Sequence, residues 1–391
     1  MRLKLIEVDN IGTKLYSQWH SGADMKWVCP PLALPIIASL TSSDIKVSIL
    51  DEKNEAIDFN IEADVIGISF KSMTAKRAYE IADKFRRRKI KVITGGVHAS
   101  LLPDEAIQHA DSVVVGEAEN VWHRVINDIK ANRLRQFYSS SKKGNLKTVP
   151  LPRFDLLQNN KYLYHAIQTS RGCSMGCKFC PTRFMFGWEF RLKNISQVVQ
   201  EVQIVREIER KSIFFVDDIF GAGDRNYIIE LTKKLKPLKI NFSIISDFKI
   251  VNDEELLRLL AESGCKIISL NLSDCTEEEV MIIKKIHRYG IETWGYFMFG
   301  FENHDKTIFE KVVRFISETD MKYFTLTVLT PYPSTQLYQQ FEQEGRILSK
   351  DWSLYDQAHI VFKPRLISAE ALKDGYKWAL GETKHLRREI Q

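Results

Sequence analysis

Two periodicities take turns along the chain. Short β-rich runs at residues 3–8, 47–50, 64–70, 91–94 and 112–115 alternate with stretches whose apolar positions recur at helical spacing. The stretch 75–88 is the clearest helix, because Ala78, Ile81, Ala82 and Phe85 fall on one face. Residues 32–40, headed by Pro30 and Pro31, a short segment 106–109 after Pro103, and residues 121–129 read as further helices. Five strands joined by helical crossovers predict a parallel sheet covered on both faces. Such a sheet takes its ligand beyond the carboxyl ends of its strands. Periodicity fades over 131–147, and Pro150, Pro152 and Arg153 follow, as in a surface connection between folding units. Alternation then resumes, with strands expected at 166–169, 212–216, 240–245, 266–272, 293–299 and 323–329. The pattern divides the chain into 1–135, a linker 136–160, a second unit 161–345 and a C-terminal extension 346–391.

Composition then narrows the class. Of 391 residues, 44% are apolar and 27% charged, and only 19 are Gly and 11 Pro, which excludes a collagenous or largely disordered chain. The net charge of +6 is mild, and its densest run, residues 86–89, ends a helix where cations complement the dipole. Nucleic-acid binding is therefore not expected. The N-terminal apolar stretch carries charges throughout and reads as a strand, not a signal peptide. No window approaches the ~18 uncharged apolar residues of a membrane span. The expected compartment is the reducing cytoplasm, where clustered cysteines hold metal more often than they form disulfides.

Three of the six cysteines lie together, in Arg171-Gly-Cys-Ser-Met-Gly-Cys-Lys-Phe-Cys-Pro181. The spacing is Cys173-x3-Cys177-x2-Cys180. A mononuclear zinc site would need a fourth Cys or His nearby, and the next are Cys265 and His287. Three thiolates leave one metal of a 4Fe-4S cluster open for a substrate, a vacancy that four-cysteine electron-transfer clusters lack. Gly172 and Gly176 keep the loop tight, and Phe179 can shield a cluster from water.

This cysteine pattern resembles that of the radical SAM superfamily. Residues 1–130, with GISFKSMT and ITGGVHASLLPDEAIQHADSVVVGEAE, look like the cobalamin-binding domain that precedes many radical SAM enzymes. The segments around residues 149–156, 295–301, 330–335, 351–356 and 361–364 are similar to the same family, so the resemblance covers nearly the whole chain. It implies an α/β protein: a doubly wound, flavodoxin-like cobalamin-binding-type domain, then a partial (β/α)6 radical SAM barrel and a short C-terminal extension. It implies three cofactors, a 4Fe-4S cluster on Cys173, Cys177 and Cys180, S-adenosylmethionine (SAM) and cobalamin. The commonest reaction of the family is methyl transfer to an unactivated carbon. In that chemistry an electron from the cluster cleaves SAM and the resulting 5′-deoxyadenosyl radical prepares the acceptor. A small-molecule substrate and an electron donor such as flavodoxin or ferredoxin follow, with no membrane partner.

Site residues carry over position by position. Phe179, Asp217, Asp218, Ser246 and Asn271 are the expected SAM contacts; either aspartate could instead cap a helix. Ser69, Thr74, Gly95, Gly96, His98, Gly116 and Glu117 are the expected cobalamin contacts. His98 stands outside the Asp-x-His-x-x-Gly context of cobalt-ligating histidines, so it is not expected under cobalt. Asn271-Leu-Ser-Asp274 departs from the Gly-x-Glu-Ser type ending of the fourth strand, and the stretch from there to Gly290 looks shortened. Cys265 is expected in the core and Cys29 inert. Trp294, Tyr296 and Tyr332 fall near the barrel mouth, where they line a pocket or pack the core. His304 and Asp305 are read as caps of a helix near Lys306. Two rival readings stay open: a radical rearrangement, cyclisation or oxidation without methylation, and a cobalamin or cluster sensor without turnover. An open iron argues for SAM cleavage over sensing.

Overall fold

The computed structural model describes residues 1–9, 28–272 and 274–386. Two six-stranded parallel sheets account for most of the chain. The first contains β1 (Arg2–Glu7), β2 (Lys46–Asp51), β3 (Val65–Ser69), β4 (Lys91–Gly95), β5 (Ser112–Val115) and β6 (Phe137–Ser139) in the order β2-β1-β3-β4-β5-β6. This is the flavodoxin-like order, whose reversal between β1 and β3 opens a crevice at their carboxyl ends. Both faces are buried. Ile6, Ile66, Ile68 and Val92 pack under the helix Ala75–Arg87, while Leu3, Leu5, Val65, Ile93 and Val114 pack under Ala33–Ser39 and Trp122–Lys130. The sequence predicts five strands here and the structure has six. β6 lies in the aperiodic stretch because it is a three-residue edge strand with one inward side chain, too short to show a period. That side chain, Tyr138, is buried and donates its hydroxyl to Asp128 Oδ2 at 2.9 Å.

The second sheet runs in strict chain order through β7 (His165–Ile167), β10 (Ile213–Phe215), β11 (Phe242–Ile245), β12 (Cys265–Asn271), β13 (Glu292–Phe299) and β14 (Tyr323–Val328). It forms the expected partial barrel, with β7 and β14 as its two edges. Phe215, Phe242, Ile268, Leu270, Phe297, Phe299, Phe324 and Leu326 pack outward against the helices in one large core. Between β7 and β10 a two-stranded ribbon, β8 (Ser170–Arg171) with β9 (Arg191–Leu192), carries the cysteine loop. The helix Glu277–Arg288, held by a capping box between Thr276 and Glu279, makes three full turns before Gly290.

The extension packs on the β14 edge and reaches the first domain. Val328 on the β14 edge donates its N–H to Gln357 O at 2.7 Å, and Tyr376 on the helix Ala369–Glu382 bonds Leu326 O. Trp352 crosses to the first domain and donates to Glu105 Oε2 at 3.0 Å. Among the described residues no helix is long and apolar enough to cross a membrane.

Candidate functional site

The cysteine loop leaves β8 through Gly172. That residue has φ +99°, and a Cβ there would lie 2.2 Å from Glu189 O, so only glycine lets the ribbon strands approach this closely. Cys173 and Cys180 are half-buried and Cys177 is exposed; the Cys180 N–H bonds Cys177 O at 3.1 Å. Burial pushes the Cys173 thiol up, and neighbouring Asp218, Cys180 and Cys177 push it further; Cys177 is likewise raised, by burial and then Cys180. Groups that repel one another's negative charge need a cation to become thiolates together. Among the described residues no three metal-binding side chains converge on a single-ion position. A four-iron cluster does not require that, since each thiolate takes its own iron.

The two aspartates after β10 divide their tasks. Asp217 is buried, and its carboxylate accepts from Thr169 N (2.7 Å), Ser170 N (2.8 Å) and Thr169 Oγ1 (2.6 Å). It braces the turn that leads into the cysteine loop, with two of these bonds on Oδ1 and one on Oδ2. Burial raises its pKa to about 7. Neither aspartate caps a helix, because the next turn, Phe220–Gly223, begins after Ile219 without a side-chain cap. Asp218 Oδ1 accepts from Thr182 Oγ1 at 3.1 Å, while Oδ2 is buried with no partner. An unpaired buried carboxylate oxygen beside the cysteine loop is costly unless a cation meets it. The amino group of SAM fits that requirement.

Phe179 faces a cavity of about 580 Å³ between the cysteine loop and the ends of β12, β13 and β14, shared with Asp274, Phe301, Glu302, Asn303 and Leu329. Phe179 and Phe301 have ring centroids 5.9 Å apart. Glu302 was not singled out from sequence, although it follows the segment 295–301 directly. Ser246 follows β11 with its hydroxyl turned to Asp247 O, and Asn271 is exposed at the end of β12; neither lines this cavity. Ser273 lies outside the described residues.

The crevice of the first sheet opens toward the same loop. Its walls include Ser69, Phe70, Gly96, Val97, Gly116 and Glu117 from the first domain and Gln168, Arg171, Met185, Phe186 and Val216 from the second. Apolar walls and the open space beside Gly116, where a Cβ would touch nothing within 4 Å, fit a large flat cofactor. Three expected contacts are elsewhere. Gly95 is the last residue of β4, and Thr74 bonds the Lys71 backbone in the turn before the helix Ala75–Arg87. His98 is fully buried, with Nδ1 3.0 Å from Ser72 Oγ and Nε2 3.2 Å from Glu105 Oε1. The cause is the short helix Val97–Leu101, which the sequence does not predict: it turns Val97 to the crevice and His98 into the core. Gly96, at φ +90°, makes that turn possible, because a Cβ would strike the Phe70 backbone at 2.8 Å.

Glu117 is engaged in a cluster that sequence reasoning missed. Arg171 Nη1 donates to Glu117 Oε1 (2.8 Å) and Glu119 Oε1 (2.6 Å), and Arg191 Nη1 donates to Glu117 and to Gly144 O. Burial alone would lower the Arg171 pKa, but Glu119 and Glu117 more than offset it.

Of the remaining candidates, His304 borders the cavity beside Phe179. Cys265 is buried at the start of β12, and burial raises its thiol and that of Cys29 far above the ordinary value. Cys275 is pushed up to about 12, again by burial. Trp294 and Tyr296 stack inside the barrel, and Trp294 Nε1 donates to Thr325 Oγ1 at 2.9 Å. Tyr332 OH meets Gln357 Nε2 at 3.1 Å. The helix expected near Lys306 begins at Ile308, with no side-chain cap. Asp305 accepts from Thr307 in the preceding turn, and His304 is buried, its Nδ1 accepting from the Gly300 N–H at 3.3 Å.

The sequence matches the Radical SAM superfamily over residues 167–316 and the B12 binding domain over residues 22–126. It is 28% identical over 384 residues to bacteriochlorophyllide d C-12(1)-methyltransferase of Chlorobaculum tepidum, covering 92% of this chain and 84% of that one. It is 24% identical over 355 residues to hopanoid C-2 methylase of Rhodopseudomonas palustris, covering 84% and 67%. Its fold resembles that of the radical S-adenosylmethionine methyltransferase TsrM from Kitasatospora setae, solved with cobalamin and a 4Fe-4S cluster bound. The TM-score is 0.72 at 15% identity, over 100% of this chain and 93% of that one.

Proposed function

This chain belongs to the radical SAM enzymes that carry a cobalamin-binding domain, and from that premise we propose that it methylates an unactivated carbon of a small molecule. Cys173, Cys177 and Cys180 hold the 4Fe-4S cluster, and Asp218 receives the SAM amino group on its free oxygen. Phe179, Phe301 and Glu302 wall the cavity in which the rest of SAM is held. Asp217 keeps the approach to the cysteine loop rigid through Thr169 and Ser170. Ser69, Gly96, Gly116 and Phe186 border the cobalamin cleft, with apolar surface that keeps water from the reacting centre. When bound, the cluster and cobalamin supply reductive cleavage of SAM and a transferable methyl group. Electrons come from a small redox protein such as flavodoxin or ferredoxin.

The observation that carries this reading is the shared wall. The crevice of the first sheet and the mouth of the barrel meet at the residues that flank the three-cysteine loop. Two separate ligand sites would not need to face each other; two cofactors acting on one substrate would. Anaerobic reconstitution with iron, sulfide, hydroxocobalamin, SAM and a chemical reductant tests it. Both 5′-deoxyadenosine and S-adenosylhomocysteine are expected. 5′-Deoxyadenosine alone, with no methyl transfer to cobalamin, supports the non-methylating radical reading. Absence of both products overturns the enzyme assignment.

A further inference from the structure

We propose that Arg171 is a positioning residue that holds the loop bordering the cobalamin cleft in register with the cluster loop, two residues downstream. This rests on the two-cofactor reading above. Arg171 lies on β8 directly opposite Arg191 on β9, so the ribbon that carries the cysteines presents two guanidinium groups side by side. Both grip Glu117, and Arg171 also takes Glu119, both from the loop after β5. Arg171 Nε is bonded to Gln168 Oε1 at 2.7 Å, which fixes the plane of the fork. The two cations and two anions are nearly removed from water, at 7%, 17%, 3% and 10% side-chain exposure for Arg171, Arg191, Glu117 and Glu119.

Adhesion between the domains does not require this cluster. Trp352 bonds Glu105, Ser334 Oγ bonds Leu101 O at 2.8 Å, and Tyr162 donates to Asp51, all without a cation. Burying four charges gains little net stability against the cost of desolvation, whereas it fixes geometry sharply. The fork geometry is what a lysine lacks: one ammonium cannot reproduce the planar contacts to Glu117, Glu119 and Gln168. The residues it ties together, Glu117, Ala118 and Glu119, border the cleft on one side, and Phe186 and Met185, just after the cysteines, border it on the other.

The test uses the full chain with reconstituted cluster, titrated with hydroxocobalamin and followed by absorbance. In Arg171→Lys, iron content and the electron paramagnetic resonance signal of the reduced cluster stay as in wild type. The hydroxocobalamin dissociation constant rises about tenfold, and the ratio of 5′-deoxyadenosine to S-adenosylhomocysteine increases. Glu119→Gln, isosteric and removing one arm of the bridge, shifts both readouts in the same direction by less, and serves if the lysine variant folds poorly. Trp352→Phe is the control for simple domain loosening; it lowers the thermal midpoint and leaves the hydroxocobalamin constant unchanged. Hydroxocobalamin binding within twofold of wild type in both Arg171→Lys and Glu119→Gln overturns the inference alone. Failure of the wild-type chain to bind hydroxocobalamin overturns the functional reading and this inference with it.

Discussion

The two parallel sheets have equal strand numbers and opposite interiors. In the first, both residue parities are apolar: β3 reads Val-Ile-Gly-Ile-Ser, and its side chains are buried alternately under helices on either face. In the second, one parity is apolar and faces the helices, while the other places Phe214, Ser243, Ser269, Asn271, Trp294, Tyr296 and Thr325 on the inner face. An open sheet can serve a ligand only at its end, because both faces are filled. A curved sheet keeps a lined interior and a mouth. The protein uses one of each, and joins the end of the first to the mouth of the second.

The largest expected effect lies at the mouth. Cys173→Ala should abolish SAM cleavage and lower iron content after reconstitution, while leaving the far-ultraviolet circular dichroism of the chain intact. Unchanged iron would remove the cluster from this loop. Next come the two cores. Ile66→Ala in the first sheet and Phe242→Ala on the outer face of the second should each cost about 2–5 kcal/mol in denaturant titration. If only one of them does, the sheets are not equally packed.

A smaller effect separates the brace from the core. The pKa of Asp217 is raised by burial, so the folded state holds its proton more tightly than the unfolded chain does. Its contribution to stability is full below the ordinary aspartate range and is lost as pH rises through about 7. The apo protein should therefore become easier to unfold between about pH 4 and 7, and Asp217→Asn should flatten that dependence. A slope unchanged in the variant would assign it to other groups. The smallest effect is on the inner face. Ser269 Oγ is buried and unpartnered, so Ser269→Ala should be neutral or stabilising by about 1 kcal/mol. A loss comparable with Phe242→Ala would mean that the two faces of the barrel sheet do not differ.

Much of this could be read along the chain. Ala78, Ile81, Ala82 and Phe85 do line the buried face of their helix, and the cysteine spacing with Gly172 marks the loop where it is found. What failed did so for local reasons. β6 is shorter than a period, and the helix at residues 97–101 is five residues long, so neither leaves a pattern. That helix is what turns His98 inward, against Ser72 and Glu105. Asp217 and Asp218 are adjacent and chemically identical, and only Thr169, Ser170 and Thr182 decide which keeps a free oxygen.

The sequence by itself determined the alternation of elements, the two folding units and the grouping of three cysteines on one loop, because each rests on spacing within a few turns of chain. Tertiary structure decided the rest: which aspartate is available, where His98 points, and that Arg171 meets Glu117 and Glu119 across more than fifty residues. Those outcomes depend on which buried polar groups find partners, and a partner brought from another domain leaves no local periodicity to read.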